Sequence, residues 1–390
     1  MASGGTADLS AIQNTEEPSG HSAAVLTLSP DDGADGTPLL AGSQVQKLSS
    51  GDVAGLAAGE CVEPRAETWL VGGSTATGRT TLLTLANPGA VAATVSIAIY
   101  SENGPVDAPG TDGIIVQPNT EVAYSLAGFA PDISSPVVHV TSVGGGIVAG
   151  LQQTTVRTLE AGGIDLAGPA AAPSTEVVIP GMVISAHDEI DALVGAPGFQ
   201  DIEAVLRMFV PGTETAKTTI SVTADGDEAP ISVEFDLQPG VVSEFPFEHF
   251  EDGSYTVTIT SSVPLVAGAR ASTVGPSGAS DFAWFESAPR MRGQALVTVG
   301  AGADAFLHLY NDTDTAVTAS LTPEGDDATD ATVTIPARSP VVVPLDASSS
   351  LRVSDFASLR VAVSYAGGGL LSGYTLSPTG PAAEAITVYP

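Results

Sequence analysis

The chain has 390 residues and a formal net charge of −33, because 45 acidic side chains stand against 12 basic ones. Such a charge repels phosphate backbones and anionic lipid, so it argues against binding to nucleic acid or to membrane surfaces. Hydrophobic residues make up 43% of the sequence, enough to bury the cores of the two or three domains that this length predicts. No window approaches the roughly 18 apolar residues of a membrane span.

Residues 1–60 are rich in small and polar residues and contain an acidic, turn-like patch at Asp31–Asp35. With so few large apolar side chains to bury, this segment is predicted to be a flexible, low-complexity leader. Its one exception is a short helix over Val53–Ala58, for which Ser50 or Asp52 is the predicted cap.

From residue 61 onward the sequence alternates apolar and polar residues in short runs. Val95, Ile97 and Ile99 fall on one face of a predicted strand, as do Val138 and Val140. Turn-forming Gly, Pro, Asn and Asp separate these runs. The pattern predicts an all-β chain built from hairpins.

Three similar runs, beginning at Leu82, Val205 and Phe306, are separated by 123 and 101 residues. Units of ~100 residues with about seven short strands are typical of the immunoglobulin-like sandwich. We therefore predict three tandem β-sandwich modules, over 61–173, 174–279 and 280–390. The acidic stretch 185–203 is predicted to be a loop inserted between the first two strands of the second module.

The stretch Gly73–Thr80 has the spacing of a phosphate-binding loop, but Arg79 stands where the lysine should be. A phosphate-binding loop opens a helix whose amides face the anion. Here Leu82–Leu85 continues as a strand-like run instead. We interpret the stretch as an ordinary loop and assign no cofactor.

Three acidic stretches are candidates for cation binding, namely Asp31–Asp35, His187–Asp191 and Asp326–Asp330. None offers the four ligands of a structural zinc site or the closing bidentate Glu of a calcium loop. We assign no metal-binding residues and interpret the stretches as solvated turns, with weak calcium binding as the alternative.

Known catalytic motifs are missing, including the nucleophile elbow and the zinc-protease helix motif. The five histidines stand singly, and His139 and His308, within predicted strands, are expected to be hydrogen-bonded or surface residues. We assign no catalytic residues and expect a protein that is not an enzyme. The aromatic residues are expected to pack in cores, with stacking on sugars as the alternative: Trp69, Trp284, Phe245, Phe247, Phe282 and Phe285.

Several strings together resemble a family of actinobacterial cell-envelope proteins of unknown function, secreted or membrane-anchored and of tandem β-sandwich type. They are Cys61, Glu67–Ser74, Leu85–Gly89, Val138–Ser142, Leu151–Gln153, Ile179–Gly181 and Ser280–Phe285. The resemblance implies an extracytoplasmic location. Family members begin with a hydrophobic export segment, which this chain lacks, so we expect its N-terminus to be truncated. They also have a second cysteine, which implies that Cys61 is half of a disulfide.

The expected function is therefore that of a non-enzymatic structural or binding protein of the cell envelope, with an envelope protein or a glycan as its partner. The alternative is a carbohydrate-binding or carbohydrate-active accessory protein in cell-wall or surface-polysaccharide biology, with a site formed by loop 185–203 and nearby aromatics. A further explanation of the acidity is adaptation to salt.

Overall fold

Residues 2–3, 5–11, 13–14, 24–30, 39–226, 229–248, 250–324 and 329–378 are described in a computed structural model of the chain. Within these ranges the chain forms thirty strands and only two short helices. The predicted all-β class is confirmed. The strands before residue 61 are β1 Ala2–Ser3, β2 Gly5–Ala11, β3 Gln13–Asn14, β4 Ala24–Pro30, β5 Leu39–Leu40, β6 Ser43–Ser50 and β7 Val53–Glu60.

The rest of the chain contains three successive sets of strands, called here the first, second and third repeat. The first repeat has β8 Glu67–Val71, β9 Arg79–Asn87, β10 Ala93–Ser101, β11 Gly104–Pro105, β12 Ile114–Val116, β13 Thr120–Ser125, α1 Leu126–Phe129, β14 Val137–Val143, β15 Val148–Arg157 and β16 Glu160–Ala167. The second has β17 Ser174–Ile184, α2 His187–Leu193, β18 Val205–Phe209, β19 Ala216–Ala224, β20 Ile231–Leu237, β21 Val242–Pro246, β22 Gly253–Val274 and β23 Ser280–Glu286. The third has β24 Met291–Thr298, β25 Asp304–Tyr310, β26 Val317–Pro323, β27 Ala331–Ile335, β28 Pro340–Leu345, β29 Ser350–Gly367 and β30 Leu370–Thr375.

One antiparallel pairing scheme occurs in all three repeats and centres on a long strand. In the second repeat, the first half of β22 pairs with β17 and β19, and its second half pairs with β18 and β23. In the third repeat, β29 pairs with β24 and β26 and then with β25 and β30. In the first repeat the long strand is split into β14 and β15. The split falls at three consecutive glycines, of which Gly144 has a φ of 94°.

This scheme differs from the immunoglobulin arrangement that the repeat length predicts. In an immunoglobulin constant domain each strand belongs to one of two sheets, ABED or CFG. Here the long sixth strand pairs with two strands along its first half and with two others along its second half, so it joins both sets. Strand number and spacing are local properties, whereas the pairing partners depend on how the strands pack in three dimensions.

The predicted alignment of the runs beginning at Leu82, Val205 and Phe306 corresponds to equivalent strands, β9, β18 and β25. At their ends, Asn87 and Asn311 are fully buried. Asn87 Nδ2 donates to two backbone carbonyls nearby, at 2.8 and 3.0 Å, and Asn311 Nδ2 lies within 2.8 to 3.1 Å of three. The second repeat has Val210 at this position. The two asparagines thus brace the same turn in the first and third repeats.

The predicted flexible leader and its helix are wrong for residues 43–60, which form the β6–β7 hairpin. Leu56 and Ala58 are fully buried and belong to the core of the third repeat. Gly55 has a φ of 144°, which no α-helix contains. The run of Ala and Gly gives little periodicity in the sequence, so burial against other strands, which the sequence does not show, decides its conformation.

Strand β7 meets the last strands of the three repeats, β16, β23 and β30, in what we call the central junction. Asp281 of β23 holds it together: its Oδ2 accepts hydrogen bonds from Leu56 N at 2.9 Å and Leu371 N at 3.1 Å, and its Oδ1 accepts one from Ile164 N at 3.3 Å. These amides lie on β7, β30 and β16. One buried carboxylate therefore satisfies backbone donors on three strands that do not pair with β23.

Asp165 of β16 makes a second set of such bonds. Its Oδ2 accepts from Trp284 N at 2.6 Å and its Oδ1 from Ser372 Oγ at 2.7 Å. Ser372 Oγ in turn accepts from Ala58 N at 2.8 Å. The three repeats are consequently packed around a shared buried centre.

The α2 cleft, a candidate functional site

The acidic insertion of the second repeat lies between β17 and β18, as predicted, but it contains the helix α2 instead of a loop alone. Ala186 precedes the helix with a φ of 59°. Asp188 and Glu189 lie in its first turn, where negative charge interacts favourably with the unpaired backbone amides of the helix. Ile190 is buried beneath it. The acidic first turn was the one local signal of a helix, and seven residues gave too short a window for the periodicity to show.

Between α2, the residues that follow β21 and the second half of β22 lies a cleft of about 290 Å³, called here the α2 cleft. Its buried walls are mainly apolar: Ile184, Ile190, Ile202, Phe247 and Ala271. The polar side chains of the lining are Ser185, His187, Asp191, Glu203, Glu248 and Ser272. None of the described lining residues is Arg or Lys. The cleft therefore joins an apolar interior to negative charge.

The aromatic wall of the cleft belongs to a chain of perpendicular rings. The ring centroids of Phe245 and Phe247 are 6.2 Å apart, those of Phe247 and Phe250 5.5 Å, and those of Phe250 and Tyr255 5.4 Å. Edge-to-face contacts of this kind are a favoured aromatic geometry. The two rings that face the cleft, Phe247 and Phe250, are thereby held in fixed orientations.

The structure brings only part of the predicted aromatic set to this place. Trp69, Trp284, Phe282 and Phe285 are 5% exposed or less, so the expectation that they pack in cores is confirmed. Phe247, which is 6% exposed, belongs to the core of the second repeat and also lines the cleft, and Phe245 packs against the same core, so the expectation holds for them too. Phe250 and Ser272 also line it, although nothing in their sequence neighbourhood singled them out.

The stretch Gly73–Thr80 is not followed by the helix that a phosphate-binding loop requires. The chain continues into strand β9 instead, in agreement with the interpretation of the stretch as an ordinary loop. His187 and Asp191 lie one helical turn apart, with 3.6 Å between Nε2 and Oδ2. Across the described ranges, no group of three or more His, Cys, Asp or Glu side chains is arranged to hold a metal ion. Asp31–Asp35 and most of the patch that ends at Asp330 lie outside the described residues.

A group that resembles a catalytic triad lies between the second and third repeats. His308 Nε2 is 2.7 Å from Ser364 Oγ, and His308 Nδ1 is 3.8 Å from Asp225 Oδ2. Burial lowers the pKa of His308 to about 3. Ser364 and His308 are each 1% exposed, so no substrate reaches the hydroxyl. The group is a packing contact, which confirms the expectation of a hydrogen-bonded histidine.

Of the helices in the described part of the chain, neither has the length and apolar character that a membrane crossing requires. Cys61 is exposed and has no disulfide partner among the described residues.

No curated protein matches the sequence. A solved structure titled "Biofilm associated protein - BSP domain" is 9% identical, with a TM-score of 0.15; the match covers 87% of this chain and 66% of that one. The chain thus spans just under two thirds of the length of that structure. The profile of a family described as "Family of unknown function (DUF5719)" matches residues 14–346, and the chain belongs to this family.

Proposed function

We propose that this protein is a non-enzymatic binding protein of the cell envelope that holds a neutral carbohydrate in the α2 cleft. The observation that carries the proposal is the lining of the cleft, in which the fixed rings of Phe247 and Phe250 stand beside acidic side chains. Ligand sites are typically apolar clefts with a few polar groups that fix orientation.

The chemistry of the lining selects the class of ligand. The C–H faces of a sugar pack on aromatic rings, and its hydroxyls donate hydrogen bonds to carboxylates. Asp191, Glu203 and Glu248 supply those acceptors and repel anionic ligands. A neutral sugar or an amino sugar is therefore favoured over an acidic one.

The non-enzymatic part of the proposal is supported by the sealed His308 group and by the lack of catalytic motifs in the sequence. The location at the cell envelope rests on the resemblance described above and on the acidic composition, which favours solubility.

The test is calorimetric titration of the full chain with neutral oligosaccharides (glucan, galactan, mannan, arabinan and N-acetylglucosamine oligomers) and with an acidic one, oligogalacturonate. We expect saturable binding of at least one neutral sugar and a loss of at least tenfold in affinity for Phe250→Ala. Phe129→Ala is the control, because Phe129 is a partly exposed ring of the first repeat that is outside the cleft lining and outside the chain of perpendicular rings. Flat titrations throughout, or preference for the acidic sugar, would overturn the proposal.

A purely structural envelope role is the second candidate, and the central junction favours it because it fixes the three repeats to one another. Co-sedimentation of the full chain with untreated and protease-stripped cell walls separates the two functions. Retention on stripped walls indicates a glycan ligand. Loss on stripping indicates a protein partner, and failure to bind either wall leaves the structural role.

A further inference from the structure

Three arginines from the first and second repeats converge on Asp201, in the segment that follows α2. Arg79 Nε lies 3.0 Å from Asp201 Oδ2, and Arg157 Nη1 lies 2.5 Å from Asp201 Oδ1. Arg270 donates from Nη1 to the backbone carbonyl of Asp201. Arg79, Arg157 and Arg270 are called here the arginine cluster.

The charges of the arginine cluster do not balance. Three guanidinium groups share the single carboxylate of Asp201. The neighbouring Glu244 is bound to a different arginine, Arg207, at 2.9 Å from Nε. The cluster thus retains an excess of two positive charges in a buried place, and a buried charge without a partner is strongly destabilising.

Two of the cluster's arginines also have donors without acceptors. Arg157 and Arg270 are each 3% exposed, and for each of them Nε and Nη2 have no hydrogen-bond partner among the described residues. Arg270 Nη2 is 3.4 Å from Asp201 Oδ2 but does not make a hydrogen bond with it. Phe199 and Phe282 cover the flat faces of the two guanidiniums, with centroids 5.1 and 5.0 Å from Cζ. Only the N–H edges remain to be satisfied.

Arg207 shows what a satisfied buried arginine looks like in the same protein. Its Nη1 donates to Gly73 O and Pro136 O, each at 2.9 Å, and its Nη2 donates to Ser134 O at 3.2 Å. Because buried polar groups in native proteins are nearly always bonded, the four orphaned donors of Arg157 and Arg270 call for acceptors.

Two hydroxyls extend the group of orphaned donors. Thr155 lies two residues before Arg157 on β15, and Ser272 lies two residues after Arg270 on β22, so each shares a strand face with its arginine. Thr155 Oγ1 and Ser272 Oγ are both buried and have no partner among the described residues. All six orphaned atoms can donate a hydrogen bond, and only the two hydroxyl oxygens can also accept one.

We propose that the arginine cluster, with Thr155 and Ser272, binds a small inorganic anion between the first and second repeats. An anion accounts for both observations, because it accepts hydrogen bonds from guanidinium and hydroxyl donors and offsets the excess positive charge. Water supplies acceptors but no charge. Bound in this position, the anion links Arg157 of β15 to Arg270 of β22.

Burial disfavours the charged forms of these arginines, because desolvation lowers the pKa of both Arg157 and Arg270. The coulombic effect of Asp201 acts in the opposite direction and is the smaller of the two for each arginine. A second negative charge would favour their protonated forms.

The test is thermal unfolding of the full chain in sodium gluconate, with chloride, bromide, sulfate or phosphate added at constant ionic strength. We expect at least one small anion to raise the Tm by several degrees along a saturating curve, as a ligand specific to the folded state does. Arg157→Gln should lose this response. The control, Arg338→Gln, removes an arginine that is paired with acids outside the cluster and should keep it.

Because Arg157→Gln can unfold the chain, a second variant retains the charges. Thr155→Val combined with Ser272→Ala should need at least threefold more anion to reach half of the Tm rise. Crystals grown in bromide should show an anomalous peak in contact with Arg157 and Arg270. Equal Tm values in all salts, equal responses in the variants and the Arg338→Gln control, or water at the site in bromide crystals would overturn the proposal.

Discussion

At the contact between the second and third repeats, Gly181 lies against the ring of His308. His308 and Arg207 occupy the same position in their aligned runs, and each reaches from its own repeat into the preceding one: Arg207 donates to Gly73 O, and His308 packs on Gly181. The aligned runs showed that these positions are equivalent. One side chain is a cation and the other a neutral ring. This difference matches the parts of the preceding repeat that they contact, and the sequence does not show those contacts.

Gly181→Ala should therefore be costly for two reasons. The φ of Gly181 is 77°, and a Cβ there would lie 2.5 Å from His308 Cδ2. Gly293→Ala is the matched control, because Gly293 has the same φ of 77° with nothing within 4 Å of its Cβ position. We expect Gly293→Ala to lose about 1 kcal/mol in unfolding free energy from backbone strain, and Gly181→Ala to lose about 2–4 kcal/mol. Urea denaturation measures both, and equal losses would show that the His308 contact is not tight.

Among the elements, β10 and β7 show where sequence patterns suffice. Val95, Ile97 and Ile99 of β10 alternate with polar or small residues and are buried as predicted. Strand β7 has a run of small residues with no alternation, and its burial pattern follows from partners on both sides. Helix α2 was missed for a similar reason, since its one buried side chain, Ile190, gives no period.

Removal of β7 should destabilise the whole chain. Deletion of residues 1–60 takes Leu56 out of the core of the third repeat and takes two amide donors away from Asp281 and Ser372. Loss of one buried leucine alone costs about 2–5 kcal/mol. We expect the chain that lacks residues 1–60 to melt well below the chain that lacks residues 1–38, as measured by calorimetry. Identical melting temperatures would mean that β7 contributes nothing to the junction.

For the whole molecule, the central junction links stability to pH through its buried carboxylates. Burial raises the pKa of Asp281 to about 8, of Glu60 to about 8 and of Glu286 to about 7, and it raises the pKa of Asp165 well above its usual range. These groups ionise near pH 4 in an unfolded chain, so between about pH 5 and 8 the folded state binds more protons. Stability must therefore fall as pH rises through this window.

We expect the Tm to decrease steadily from pH 5 to pH 8.5, and the slope to be shallower for Asp281→Asn. Mutual repulsion within a chain of net charge −33 also lowers the Tm as pH rises. Comparison with Asp281→Asn separates the effect of this one carboxyl group from that general repulsion. The effect of Asp201 on stability has the opposite pH dependence, because the surrounding arginines lower its pKa. Its contribution to stability is lost only at acid pH, below this window. A Tm that rises over this range, or an unchanged slope in Asp281→Asn, would contradict the assignment.

The amino-acid sequence by itself determined the all-β class, the equivalent strands β9, β18 and β25, and the buried tryptophans, because alternation and turn residues act over a few neighbouring positions. The tertiary structure alone decided the central junction, the α2 cleft and the arginine cluster. Asp281 and Leu56 are 225 residues apart, and Asp165 and Ser372 are 207 residues apart. No local sequence pattern indicates such pairs. In the sequence each of these acids and arginines looks like any other charged residue, because its burial and its partners depend on how distant segments pack.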